Sequence, residues 1–308
     1  MRIGIFAGDV SGSGSVDGIV QEAVRTAEQG FPSLWLPQIF GVDAITVCGV
    51  IGREVPGIEL GTAVVPTYPR HPMMLAQQAL TANVLAGGRF TLGIGLSHQI
   101  VIEQIMKLSF EKPVRHMREH LSILRPLIHE RSVSFEGDTL GAQATIDIPG
   151  ATPCPILVAA LGPKMLELAG TEADGAHPYF VPVEHTPFAR EHLGPDGLLA
   201  PEQAVVLSTD PEEARRVARG HMATYLGLPN YTNNLRRFGF GDDDLADGGS
   251  DRLVDAIVAW GDEQTIVDRV KAHHDGGADH VALQVLPLDG ASVPMDDWRR
   301  LSEAFGLT

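Results

Sequence analysis

The chain of 308 residues is short of cysteine, of positive charge and of aromatic side chains. Its two cysteines, Cys48 and Cys154, are about a hundred residues apart and form no C-x-x-C pair, which fits a reducing compartment better than a disulfide framework. Lys and Arg total 23 against 39 Asp and Glu, a formal charge of −16. No basic stretch offsets that charge, so roles on nucleic acid or on an anionic membrane surface are excluded. No apolar run is long enough to span a bilayer. The opening run Arg2–Phe6 meets Asp9 too soon for a signal peptide, so a cytoplasmic protein is expected.

What is present is a globular composition, 44% hydrophobic with a mean hydropathy of +0.04. Short apolar runs alternate with stretches of helical period. Residues 2–8, 33–37, 58–66 and 89–96 read as strands; helices are expected over 15–29, 43–54 and 72–86. A long helix over 112–130 and a small hairpin arm at 132–140 follow, after which the rhythm returns. Strands are expected at 155–161, 176–181, 203–210 and 280–287, with helices at 163–171, after Asp210-Pro211, and at 263–276. The Gly/Asp-rich stretch 239–251 reads as an exposed loop. Eight largely apolar strands and roughly eight helices predict one (β/α)8 barrel over residues 1–308, with insertions after strands four and seven.

A barrel places its active site at the C-terminal strand ends. Here those ends are poor in carboxylates and rich in small and apolar residues, which disfavours metal or two-carboxylate hydrolysis and suits a flat aromatic cofactor that brings its own chemistry. Two segments stand out. Gly162-Pro163-Lys164 opens a helix directly after a strand, as a phosphate seat would, or as a plain helix start with proline in its first turn would. Gly93 and Gly95 lie within a strand, where glycine marks either a close approach or a crowded barrel layer.

The runs Leu60–Pro66 with Arg70-His71-Pro72, Arg89–Gly95, Arg115–Leu121, Ala159–Pro163 and Gly277–Val281 are, in this order and spacing, similar to the bacterial luciferase-like superfamily, in the branch that uses the deazaflavin coenzyme F420. The resemblance covers nearly the whole chain. It implies a non-prolyl cis peptide at Ala63-Val64 supporting the coenzyme ring. It also implies that Gly93, Gly95, Leu96, Ser97 and His98 flank the ring, and that Ala159, Ala160, Leu161, Gly162, Pro163 and Lys164 hold the phosphate tail.

Related sugar-phosphate dehydrogenases place a His after strand two and a Glu after strand four; this chain has Gln38 and His98 there. That argues against alcohol oxidation and for hydride transfer from reduced coenzyme to an activated C=C or C=N, with His98 donating a proton or orienting the acceptor. His177 and Tyr179 are candidates for substrate contact, while Phe6 and Phe40 line either the pocket or the core. The alternatives are an FMN-dependent monooxygenase of the same superfamily and a non-catalytic deazaflavin-binding protein. The resemblance further implies a homodimer.

Competing motifs read as structural. His116-Met117-Arg118-Glu119-His120 matches H-x-x-E-H but lacks a further ligand and reads as ordinary helix, so no metal is expected. Gly12-Ser13-Gly14 lacks the third glycine of a dinucleotide loop, His273-His274 suits a helix C-terminus, and Trp35, Trp260 and Trp298 read as packing.

Overall fold

The computed structural model describes residues 1–7 and 14–308; Gly8, Asp9, Gly12 and Ser13 lie outside the described residues. The chain begins β1 (Ile3–Phe6), α1 (Val16–Glu28), β2 (Ser33–Leu36), α2 (Ala44–Glu54), β3 (Glu59–Thr62), β4 (Val65–Pro66), α3 (Pro72–Leu85), β5 (Phe90–Gly95). A π-helix (Ile100–Ile105), α4 (Pro113–His129) and a hairpin of β6 (Ser132–Glu136) and β7 (Gly141–Thr145) follow. Next come β8 (Ile156–Val158), α5 (Pro163–Glu172), β9 (Gly175–Ala176), α6 (His185–Leu193), β10 (Leu198–Leu199) and β11 (Glu202–Val206). The last part holds α7 (Pro211–Leu226), α8 (Pro229–Arg237), α9 (Asp242–Leu245), α10 (Asp251–Ile257), β12 (Val258–Trp260), α11 (Glu263–Asp275), β13 (Val281–Val285) and α12 (Met295–Ala304).

Every ladder of the main sheet is parallel, in the order β10-β9-β8-β5-β3-β2-β1-β13-β11-β12, with β4 also on β5. The continuous segment from Leu198 to Val206 closes the ring. Its lower half lies on β9, where Ala200 N–H donates to Ala176 O at 3.0 Å, and its neighbour Pro201 accepts from Ala282 N–H of the last strand at 2.9 Å. Counting β3–β4 and β10–β11 as single staves gives the eight of a (β/α)8 barrel. The insertions fall where expected: the π-helix and hairpin after β5, and α7–α10 with β12 after β11.

Local chemistry sets the boundaries. Ser15, Asp43, Asp210 and Asp262 each accept a backbone N–H in the first turn of the helix they open, satisfying donors that the helix leaves free. Gly30, with φ of 81°, ends α1; a Cβ there would stand 2.7 Å from Leu307 O. Two expectations are corrected. The stretch 239–251 is not a plain loop. Asp244 accepts from Gly241 N–H at 3.0 Å and from the Ser250 hydroxyl at 2.7 Å and pairs with Arg252, so the acidic run folds α9 and leads into α10. The sixth strand is shorter than expected: its ladder covers Gly175–Ala176, backbone bonds continue only to Pro178, whose O accepts from Glu202 N–H at 2.9 Å, and Phe180 adopts φ of 57°, which turns the chain out of the sheet.

Outward-facing Ile3, Ile5, Leu34, Leu36, Leu60, Leu92 and Ile94 pack beneath the helices. The lumen holds Phe6, Trp35, Leu157, Ala200 and Ala282. Trp35 fits because Gly61 faces it: a Cβ on Gly61 would come within 2.3 Å of the indole. The indole stacks on His177 at 5.2 Å and donates to His280 Nε2 at 3.0 Å, so its polar atom is satisfied in a dry interior.

Candidate active site at the barrel mouth

At the end of the third stave the peptide Ala63-Val64 is cis, as the resemblance implied. The neighbouring strand carries no side chains where the bulge presses on it. A Cβ on Gly93 would lie 1.9 Å from Thr62 O, and one on Gly95 would lie 2.6 Å from Val64 Cγ2 and 3.2 Å from Ala159 Cβ. The Thr62 hydroxyl donates to Gly93 O at 2.8 Å and accepts from Gly93 N–H at 2.9 Å, standing in for the interrupted ladder. Both readings of the glycine pair therefore resolve into one: the close approach is to the bulge. Past it, Thr67 N–H donates to Gly95 O at 2.9 Å, Leu96 is half-buried, and Ser97 takes φ of 60°. The result is a smooth shelf of small side chains between the third and fifth staves.

The fifth stave ends in Ala159-Ala160-Leu161 and leads straight into α5, whose N-cap is Gly162 and whose first residue is Pro163. No side chain caps that end, so its backbone N–H groups are available to an anion. Arg237, from α8, lies over it: a Cβ on Gly162 would be 3.5 Å from Arg237 Nη2. Arg237 is held by Asn234 Oδ1 at 2.7 Å and by the face of Phe188 at 5.5 Å. Asn234 is itself buried, with Nδ2 unpartnered among the described residues. A guanidinium over a free helix N-terminus has the donor set of a phosphate site. Lys164 instead lines the groove between α4 and α5 with Arg118 and Glu167. Arg237 and Asn234 were not singled out from sequence, because nothing in α8 links it to α5 until the chain folds.

The remaining candidates differ in placement. His98 is half-buried beside this shelf, Nδ1 lying 3.2 Å from Asn230 Oδ1 and its ring 5.7 Å from Tyr231. Burial holds its pKa below the usual histidine range, opposed by the bond to Asn230. Gln38 Oε1 accepts from Ala44 N–H at 2.8 Å, tying the loop to the start of α2. Phe40 is 61% exposed at the rim, whereas Phe6 and His177 are buried in the lumen. His177 is stacked parallel to Phe6 and Trp35, its Nδ1 2.6 Å from Ala200 O, and burial pushes its pKa down to about 4. Tyr179 lies above them, its hydroxyl 2.7 Å from that of Tyr225 and 2.9 Å from Gln284 Oε1.

The H-x-x-E-H helix holds no metal site. His116 Nε2 lies 3.0 Å from the Thr67 hydroxyl, and His120 Nε2 lies 3.2 Å from Arg70 O. Glu119 accepts from Asp138, Thr139 and Leu140 N–H and from the Thr139 hydroxyl. Among the described residues no group of three or more His, Cys, Asp or Glu could hold a metal ion, and no helix is long and apolar enough to cross a membrane.

The model of the luciferase-like monooxygenase family matches residues 1–280, and the chain belongs to that family. It is 31% identical over 161 residues to a 5,10-methylenetetrahydromethanopterin reductase of Methanolobus tindarius, covering 51% of this chain and 48% of that protein. It is 34% identical over 174 residues to a putative coenzyme F420-dependent oxidoreductase of Mycobacterium tuberculosis, covering 52% and 50%. The alignments span about half the length of these relatives. A solved F420-dependent secondary alcohol dehydrogenase in complex with an F420-acetone adduct superposes with a TM-score of 0.78 over 99% of this chain and 98% of the other, at 16% identity, which supports the shared fold.

Proposed function

We propose that the protein is an oxidoreductase that binds coenzyme F420 at the barrel mouth and passes a hydride from the reduced coenzyme to an activated C=C or C=N of a small organic acceptor. The observation that carries this reading is the Ala63-Val64 bulge at the barrel mouth, seated on Gly93 and Gly95, whose missing side chains let it pack there. Residues Ala159, Ala160, Leu161, Gly162 and Pro163 would carry the tail, with its phosphate on the α5 N-terminus beneath Arg237. The coenzyme, when bound, supplies the two-electron chemistry.

The chain's part is to bind, orient and exclude water. With Nδ1–H on Asn230 and its pKa held low, the His98 ring is neutral at pH 7 and offers Nε2 as an acceptor, which suits it to orienting the substrate. Gln38, committed to the start of α2, shapes the rim, and Phe40 beside it is free to meet an apolar substrate. A homodimer, checked by light scattering, belongs to the same proposal.

The test is to mix the protein with reduced F420 and cyclohex-2-enone and follow the return of the oxidised coenzyme's absorbance. Acceptor-dependent oxidation is expected. Oxygen consumption with reduced FMN, and none of the former, would move the protein to monooxygenase chemistry. Binding without turnover for any acceptor would make it a carrier.

A further inference from the structure

Hydride transfer to C=C or C=N needs a proton as well, and a neutral His98, its Nδ1–H held by Asn230, is a poor source of one. Beneath the mouth lies a better one. Glu202 projects from β11 into the lumen and is 2% exposed. Its Oε2 accepts from Phe180 N–H at 3.2 Å, while Oε1 is buried with no partner among the described residues. The same aromatic cluster contains two further unpartnered buried atoms, His177 Nε2 and His221 Nε2. Native interiors rarely leave polar atoms unsatisfied, and these three lie around one cluster.

Among the described residues Tyr179 of the sixth stave and Tyr231 of α8 feel the charge of Glu202, and Tyr225 and His221 of α7 with His177 belong to the same ring cluster. None is a cation at neutral pH, since burial pushes both histidines down to about 4. Without a positive partner the carboxyl stays protonated, its pKa pushed up to about 8 by burial against one opposing backbone bond. A negative charge on Glu202 would raise the Tyr179 and Tyr231 hydroxyls, so all three share one field.

We propose that Glu202 is the proton store of this site, delivering its Oε1 proton toward the mouth through a bridging water and the Tyr179 hydroxyl, which Gln284 orients. The proposal rests on the F420 reading. In the balanced step the acceptor gains a hydride from the reduced deazaflavin and a proton from Tyr179. Tyr179 regains a proton from Glu202, and the Glu202 carboxylate is reprotonated from solvent. An acid with a pKa near the working pH is best placed for this.

Two measurements decide it. Infrared spectra of the ligand-free protein should show a neutral carboxylic acid band at pH 7 that disappears by pH 10, is absent from Glu202→Gln and shifts in Tyr179→Phe. An ionised Glu202 at pH 7, or a band indifferent to Tyr179→Phe, would overturn the proposal whatever the coenzyme. In single turnovers of reduced F420 with cyclohex-2-enone, the rate should fall above about pH 8, and Glu202→Gln should lower it about 100-fold and abolish that limb. A limb that persists in Glu202→Gln overturns the proposal but leaves the F420 reading standing; no turnover in the wild-type protein overturns that reading, while the band still decides the state of Glu202.

Discussion

Val64 and Gly95 share one space at the barrel mouth: the position a Cβ would take on Gly95 is 2.6 Å from Val64 Cγ2. The shelf between the third and fifth staves exists because strand four yields to the bulge. Gly95→Ala should push Val64 toward the ring position and weaken coenzyme binding at least 10-fold while the far-ultraviolet circular dichroism stays unchanged. Gly93→Ala meets backbone, Thr62 O at 1.9 Å, and should instead lower Tm. Titration and thermal melts of the two variants check both outcomes.

Arg237 should carry much of the anion affinity. Replacing it by Ala removes a charge-assisted partner of the phosphate and should raise the F420 Kd by roughly 10- to 100-fold, with a weaker salt dependence. Lys164→Ala, in the α4–α5 groove, should change Kd less. Equal effects of the two would mean that the phosphate lies nearer Lys164 than the fold suggests.

Acid should unfold this protein. Burial holds His177, His185 and His221 at about 4 and His120, His273 and His280 at about 3. Neutral in the fold and with ordinary pKa values near 6.5 when unfolded, they leave stability intact above that pH and erode it as the pH falls toward 4. Each contributes up to about 1.4 kcal/mol per pH unit in that window. Glu202 has the opposite sign: its raised pKa means stability lost as pH rises from about 4.5 to 8, so Glu202→Gln should raise Tm at pH 8 more than at pH 5. Thermal melts across pH 4–9 test both; a flat profile on the acid side would contradict the first.

Glu119 is a structural anchor. Its carboxylate, pushed down to about 2 by hydrogen bonds that outweigh burial, holds the turn of the β6–β7 hairpin to α4. Glu119→Ala should cost about 3 kcal/mol by leaving buried donors unpaired, measured by denaturant unfolding. Added zinc should leave the wild-type Tm unchanged.

The barrel was legible because largely apolar strand runs repeat between amphipathic helices, and the bulge because Leu60–Pro66 and Arg89–Gly95 carry a recognisable order. What was not legible depends on contacts distant in sequence. Arg237 gains meaning only when α8 is laid over α5. Glu202 falls just before the expected strand 203–210 and carries no signal until ring closure buries it beside Tyr179 and Tyr231. His177 and Phe6 lie on strand ends as a substrate contact would, yet the stack with Trp35, admitted by Gly61, buries them one layer down. The acidic stretch around Asp244 hid a helix because its caps are its own carboxylates.

The central claim is coenzyme binding at the shelf, and a fluorescence titration of the purified protein with F420 and, separately, with FMN tests it most directly. Saturable binding of F420 that Gly95→Ala and Arg237→Ala both weaken, with FMN bound poorly, is the predicted result. Saturable binding of FMN alone, or of F420 indifferent to both variants, would contradict the account.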